Sequence, residues 1–355
     1  MKFIHIADIH LGATPDSNMS WGSQREKEIW DSFQDIIRIC NKERADLLLI
    51  AGDMFHRQPR VRELKEVNYI LSRLETAKAV IMAGNHDYIG PRSYYQDFAW
   101  DEKIHFFLQD SLEVKVYEEL GAEVYGLSFR SKDITEPIYD SVKSNQNDKL
   151  HILLAHGGDE RNIPINRKKL AGLGFDYIAL GHIHKPEFIT DTIAYSGSLE
   201  PLDKNEVGER GYIIGELSRD AEGRTHTSAR FVPHSLRQYK RCILSVRQDT
   251  TNGSLQDQAR EIMEESGAGN IYSFTIQGVR DEAIHFDKEA LKGLGNVLEV
   301  VDQSVPDYDF DSLYKENADN VIGMFIRKIR ETAGQDEITR KALYYGIEAL
   351  LNAKQ

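Results

Sequence analysis

The sequence predicts an α/β sandwich followed by a smaller α/β unit and terminal helices, and three observations carry that expectation. Between residues 2 and 232, short apolar runs alternate with amphipathic segments, the pattern of sheets covered by helices. Five of the runs end on a ligand-type side chain, which is where open α/β sheets assemble their sites. At 355 residues, with 41% hydrophobic and 28% charged, the chain is long enough for two or three domains and too apolar to be disordered.

Taken in order, the run 3–7 ends at Asp8, with His10 just beyond. Residues 24–44 read as a helix, because Ile29, Phe33, Ile36, Ile37 and Cys40 recur at the helical period. The run 47–51 ends at Gly52-Asp53. A second helix at 62–76 carries Leu64, Val67, Leu71 and Leu74 on one face, and both helices are expected to cover the sheet. The run 79–83 ends at Gly84-Asn85-His86, 152–155 at His156, and 177–180 at Gly181-His182-Ile183-His184. The polar stretch 141–148 reads as a surface spacer. A boundary is expected near 234, where FVPHSLRQY breaks the pattern, and it divides the chain into 1–233, 234–305 and 306–355. The middle part reads strand (241–246), helix (254–266), strand (270–276), helix (288–294) and strand (296–301). Beyond an acidic linker at 306–311 come two amphipathic helices joined by a turn at Ala333-Gly334. One presents Val321, Met324, Phe325 and Ile329, the other Leu343, Ile347, Leu350 and Leu351.

Charge bounds the function. With 44 basic against 57 acidic residues the net charge is −13, so the average field repels polyanions and any contact with nucleic acid must be local. No apolar run approaches the roughly 20 residues of a membrane span. The N-terminus lacks the apolar core of a secretory signal, so the cytoplasm is the expected compartment. Cys40 and Cys242 fit neither a metal-type nor a disulfide pattern.

The strand ends hold the chemistry. Asp8, His10, Asp53, Asn85, His156, His182 and His184 comprise two carboxylates, one amide and four imidazoles, more donors than one ion takes. They suit a pair of divalent ions about 3.5–4 Å apart with one carboxylate bridging, the arrangement that clamps the attacking and leaving oxygens of a phosphoryl centre. Manganese, iron and zinc accept this donor set, magnesium less readily, and the lack of thiolates excludes an iron–sulfur cluster.

The ordered blocks D-I-H (8–10), G-D-M-F-H-R (52–57), G-N-H-D (84–87), H-G-G (156–158) and G-H-I-H (181–184) resemble the calcineurin-like metallophosphoesterase superfamily. Within it, G-H-I-H-K-P-E followed by Y-S-G-S-L-E-P-L-D is similar to the SbcD-type nuclease subunits of DNA double-strand break repair. His56 stands where the superfamily's protein phosphatases carry an Asp. The likeness is residue-specific over 1–217 and architectural from about 234 onward. It implies a sandwich of two mixed sheets flanked by helices, with a small α/β DNA-capping domain at 234–305. It also implies C-terminal helices at 306–355 that bind an SMC-like ATPase of the SbcC type. The resemblance puts one ion on Asp8, His10, Asp53 and His184 and the other on Asp53, Asn85, His156 and His182, with Asp53 bridging and manganese the expected metal. By the same resemblance His86 touches the phosphate and protonates the leaving oxygen, while His56 supports that histidine or the phosphate. Exonuclease and structure-specific endonuclease activity on DNA ends, duplex and single-stranded, follows from the family, as does homodimerisation through the phosphoesterase domain.

Arg57, Arg60, Arg62 and Arg92 lie near these blocks in sequence and are candidates for phosphate contacts, and Asp87 for orienting a ring nitrogen. His5, His105, His151, His226, His234 and His285 are isolated and read as structural. Two other functions fit parts of the pattern. A phosphatase or cyclic-nucleotide phosphodiesterase would share the metal core but have no need of residues 234–355. A metal-free binding scaffold would have lost ligands, and none is lost.

Overall fold

The computed structural model describes residues 1–145, 147–332 and 337–353. Packing divides the chain into two compact units, Met1–Tyr239 and Lys240–Gln355. No helix among the described residues is long and apolar enough to cross a membrane.

The first unit runs β1 (Lys2–Ile6), α1 (Gly22–Glu43), β2 (Leu47–Ala51), α2 (Val61–Ser72), β3 (Lys78–Met82), β4 (Ile104–Phe107), β5 (Glu113–Tyr117) and β6 (Ala122–Gly126). It continues with β7 (Leu150–His156), α3 (Arg167–Leu170), β8 (Tyr177–Gly181), β9 (Glu187–Thr190), β10 (Ile193–Tyr195), β11 (Gly211–Arg219) and β12 (Thr225–Pro233). One sheet has the order β12-β11-β1-β2-β3-β4 and the other β5-β6-β7-β8-β10-β9. Strands β1 to β4 are parallel, as are β6, β7, β8 and β10, while β11, β12, β5 and β9 add antiparallel edges. The chain thus forms the expected sandwich of two mixed sheets flanked by helices.

Strand alternation decides what each face buries. In β2, Leu47, Leu49 and Ala51 pack with Ile152 and Leu154 of β7 between the sheets. The intervening Leu48 and Ile50 pack outward against Ile29, Phe33 and Ile36 of α1 and Leu64 and Val67 of α2. Leu153 and Ala155 of β7 face a third cluster on the outer side of the second sheet. Strands buried on both faces need unbroken apolar runs, which is why these read as runs rather than alternating patterns.

The stretch 141–148 does more than space the strands. Ser144 Oγ donates to the Gly174 carbonyl at 2.7 Å, and the Asn145 and Asn147 amides donate to the buried Glu123 carboxylate at 2.8 and 2.9 Å. Its polar residues satisfy a buried charge, a role that composition alone does not distinguish from solvation.

The second unit follows as β13 (Tyr239–Val246), which starts at the last residue of the first, α4 (Asn252–Ser266), β14 (Ile271–Arg280), α5 (Lys288–Lys292), β15 (Val297–Asp302), β16 (Val305–Pro306), α6 (Phe310–Glu316), α7 (Val321–Thr332) and α8 (Glu337–Asn352). Its sheet has the order β13-β14-β15, with β16 on the end of β14. Leu255, Ala259 and Met263 of α4 close the core over Tyr272, Phe274 and Ile276.

Two expectations are corrected here. The acidic stretch 306–311 is not merely a linker, because Asp309 accepts from the amides of Asp311 and Ser312, both at 3.0 Å, and so caps α6. On α7 the buried face is centred on Ile322 and Ile326, which meet Ile347 of α8 with the expected Phe325, Leu343, Leu350 and Leu351 packed around them, while Val321 and Met324 are 61% and 55% exposed. The expected turn at Ala333-Gly334 lies outside the described residues.

Candidate metal centre

The carboxyl ends of β1, β2 and β3 from one sheet and of β7 and β8 from the other converge on one place. Parallel pairing of β1 with β2 continues past the sheet. Asp8 N–H donates to the Gly52 carbonyl at 3.2 Å, His10 N–H to Asp53 at 3.1 Å and His56 N–H to Leu11 at 3.1 Å. These bonds hold both ligand loops in register. Asp8, His10, Asp53 and His182 take left-handed φ values of 49°, 52°, 50° and 95°. Such backbone costs of order 1–3 kcal/mol per non-glycine residue and persists where its surroundings over-determine it.

Glycines let the side chains close in. A Cβ on Gly84 would stand 2.2 Å from Asp53 Oδ1, and one on Gly181 would stand 1.9 Å from the Ala51 carbonyl and 2.8 Å from His156 Nδ1. The glycines that open the G-N-H and G-H-I-H blocks are therefore fixed by space.

All seven expected ligands meet. His10 Nε2 lies 3.1 Å from His184 Nε2 and 3.7 Å from Asp53 Oδ2. His184 Nε2 lies 3.9 Å from Asp8 Oδ1. On the other side His156 Nε2 stands 2.9 Å from Asn85 Oδ1 and 3.5 Å from Asp53 Oδ2, and His182 Nδ1 stands 3.2 Å from Asn85 Oδ1. Asp8 is close to both clusters. It groups with His10 and His184, and again with Asp53 and His156. Asp8, His10, Asp53, Asn85 and His156 are buried.

The donor chemistry tests whether cations fit. His156 Nδ1 lies 2.9 Å from the Ala51 carbonyl, which can only accept, so the proton sits on Nδ1 and Nε2 is a bare lone pair. His182 Nε2 lies 2.8 Å from Asp159 Oδ2, which leaves His182 Nδ1 bare as well. Both lone pairs point at the Asn85 carbonyl oxygen, and His156 also faces the Asp53 carboxylate. With its imidazoles neutral this buried cluster presents only acceptors, a donor set that fits a cation among them.

Titration behaviour agrees. Burial works to lower the His156 imidazole, yet the Asp53 carboxylate raises it to about 9, so without a metal the site takes up a proton. Burial likewise opposes ionisation of Asp53, but His156, His10 and His86 hold its carboxyl well below the usual range. Burial lifts Asp8 above its ordinary value and pushes His10 well below its own.

His86 stands at the rim. Its backbone N–H donates to Asp53 Oδ1 at 2.9 Å, its Nδ1 donates to the His56 carbonyl at 3.1 Å, and its ring stacks on that of His56 at 5.2 Å. His56 is exposed, and its Nδ1 lies 3.4 Å from His10 Nδ1. Asp87 orients main chain rather than a ring nitrogen. It accepts from Gly84 N–H at 2.9 Å, Phe55 N–H at 3.3 Å and the buried Tyr95 hydroxyl at 2.8 Å, and burial together with Asp53 raises it to about 6. Arg57 pairs in bidentate fashion with Glu63 at 2.8 and 3.2 Å, while Arg60, Arg62 and Arg92 are exposed.

Sequence reasoning missed two carboxylates. Asp159 pairs with His182, and Glu206 accepts from His184 Nδ1 at 2.6 Å. Asp159 follows H-G-G directly and was within reach of a spacing argument, whereas nothing in the spacing of Glu206 marks it. His5 and His151 are structural as read, buried beside the hydroxyls of Tyr177 at 3.1 Å and Tyr125 at 3.3 Å.

The chain resembles known proteins in sequence. The profile of the calcineurin-like phosphoesterases matches residues 1–186. The chain is 28% identical to an uncharacterized metallophosphoesterase, YhaO, of Bacillus subtilis, over 60% of this chain and 57% of that protein. It is 32% identical to the DNA double-strand break repair protein Mre11 of Methanocaldococcus jannaschii, over 61% of this chain and 63% of that one. With one subunit of the nuclease SbcCD of Staphylococcus epidermidis the identity is 26% over 79% of each. The match thus spans less than two thirds of the first two relatives' own length.

Proposed function

The chain belongs to the calcineurin-like phosphoesterases, a family of metal-dependent phosphoesterases, and from that premise we propose that it is a nuclease that hydrolyses phosphodiester bonds at DNA ends in double-strand break repair. The observation that carries the reading is the acceptor-only cluster at the strand ends with His86 at its rim. In this reading two divalent ions, manganese foremost, are held by Asp8, His10, Asp53 and His184 and by Asp53, Asn85, His156 and His182. Bound there, they supply Lewis acidity, which stabilises charge on the phosphoryl oxygens and lowers the pKa of water.

The protein's own groups do the rest. Water adds to phosphorus and releases a proton to solvent, the P–O bond to the leaving sugar breaks, and that sugar oxygen takes up a proton. His86 Nδ1 is committed to the His56 carbonyl, so Nε2 is the atom free to carry the proton to it. The bond from His86 N–H to Asp53 ties this acid to the ligand cluster. His56, stacked on His86 and beside His10, keeps the acid's ring in place and faces the incoming phosphate.

DNA as substrate is supported by the names of two relatives, a DNA double-strand break repair protein and a nuclease subunit. Because the latter is one subunit of a complex, the proposal includes an SMC-like ATPase partner of the SbcC type, and with it a homodimer of this chain. Arg57, Arg60 and Arg92 are the proposed phosphate contacts.

The test is degradation of an end-labelled linear duplex by purified protein with Mn²⁺, beside a chelator control and a cyclic nucleotide. Metal-dependent loss of the duplex, faster than turnover of the cyclic nucleotide, is expected. An untouched duplex with the cyclic nucleotide consumed would overturn the nuclease assignment and leave a small-molecule phosphodiesterase.

A further inference from the structure

We propose that Glu206 and Asp159 are positioning residues that choose which ring nitrogen of His184 and of His182 faces the metal centre, an inference that rests on the metal-binding reading above. A neutral imidazole has one N–H and one lone pair, and only the lone pair can bind a cation. Glu206 Oε1 accepts from His184 Nδ1 at 2.6 Å, which leaves the lone pair on Nε2, the atom that faces His10 and Asp8. Asp159 Oδ2 accepts from His182 Nε2 at 2.8 Å, which leaves the lone pair on Nδ1, the atom that faces Asn85. The two histidines of G-H-I-H therefore present opposite nitrogens, and each choice is made by a carboxylate from another loop.

Both carboxylates are themselves held. Glu206 Oε2 accepts from Leu202 N–H at 3.0 Å and lies 3.8 Å from the buried Arg210 guanidinium. Asp159 Oδ1 accepts from the amides of Arg161 and Asn162, both at 2.8 Å. Glu206 lies in the connection between β10 and β11, 22 residues beyond His184. A carboxylate fixed in this way raises the basicity of the histidine it touches and removes the cost of ring reorientation on binding.

The experiment is Mn²⁺ binding to metal-free full-length protein, read from the free-ion electron paramagnetic resonance signal, with thermal melting of each metal-free variant as the control for folding. Glu206→Ala is expected to weaken one of the two binding steps by about 10–100-fold and leave the other unchanged. Asp159→Ala is expected to weaken the other step. Glu206→Gln, whose single amide oxygen can still accept from Nδ1 while its NH2 faces the Leu202 N–H and loses that bond, is expected to restore part of the loss. A purely structural role would weaken both steps alike and lower the melting temperature, and that result overturns the inference. So does a Glu206→Ala protein that binds both ions as tightly as the parent. If the parent binds no Mn²⁺, the metal reading falls and takes the inference with it.

Discussion

His86 bonds Asp53 through its backbone N–H, and its ring donates to the His56 carbonyl, stacks on His56 and meets His10 edge-on at 4.7 Å, but its side chain makes no hydrogen bond to a candidate ligand. His86→Ala should lower the rate of duplex cleavage by about 10²–10⁴-fold, the range of general acid catalysis, while Mn²⁺ content stays at the parent level. A variant that loses metal along with activity would make His86 a ligand instead. His5 offers a different single-residue test. Burial lowers its pKa to about 3 against 6.5 in an unfolded chain, so the unfolded state binds the extra proton between those values. Stability is therefore fully present above pH 6.5 and falls as pH drops toward 3, by at most about 5 kcal/mol. Acid unfolding followed by circular dichroism should shift to lower pH in His5→Gln, and an unchanged midpoint would mean that His5 does not report on acid stability. The seven candidate ligands were legible together because they stand at or just beyond the ends of five apolar runs. Glu206 was not, because what marks it is a contact across the fold rather than a position along the chain.

At the scale of elements, the sandwich places five strand ends together, and the close approach of those ends can be tested by adding one methyl group. Gly181→Ala would put a Cβ against the Ala51 carbonyl and His156, and should cost about 1–3 kcal/mol in thermal melting together with weaker Mn²⁺ binding. A fully stable, fully loaded variant would show that the strand ends are free to separate. The terminal helices show where periodicity runs out. In α7 the segment V-I-G-M-F-I is apolar on several sides, so Val321-Met324-Phe325 and Ile322-Phe325-Ile326 fit the helical period equally well. Only the partner, Ile347 of α8, decides between them. Ile326→Ala should therefore destabilise the second unit by about 2–5 kcal/mol, whereas Val321→Ala should change it by less than about 0.5 kcal/mol. Equal effects on unfolding would return the buried face to the Val321 side.

For the whole molecule, a net charge of −13 sets the background against which a local cationic site must attract DNA. Affinity of the isolated chain for duplex DNA should accordingly be weak and fall only shallowly with salt, and a steep logarithmic slope in a salt titration would reveal a basic surface that outweighs the average. The two sheets contribute candidate ligands to the same place, and Asp53 lies within reach of His10 on one side and His156 on the other. The most direct test is the number of Mn²⁺ ions bound per chain, measured by equilibrium dialysis of metal-free protein and of its Asp53→Asn variant. Two ions in the parent, with both steps weakened together in the variant, is the predicted result. A parent that binds one ion or none, or an Asp53→Asn variant that keeps two ions with parental affinity, would contradict a dinuclear centre bridged at Asp53.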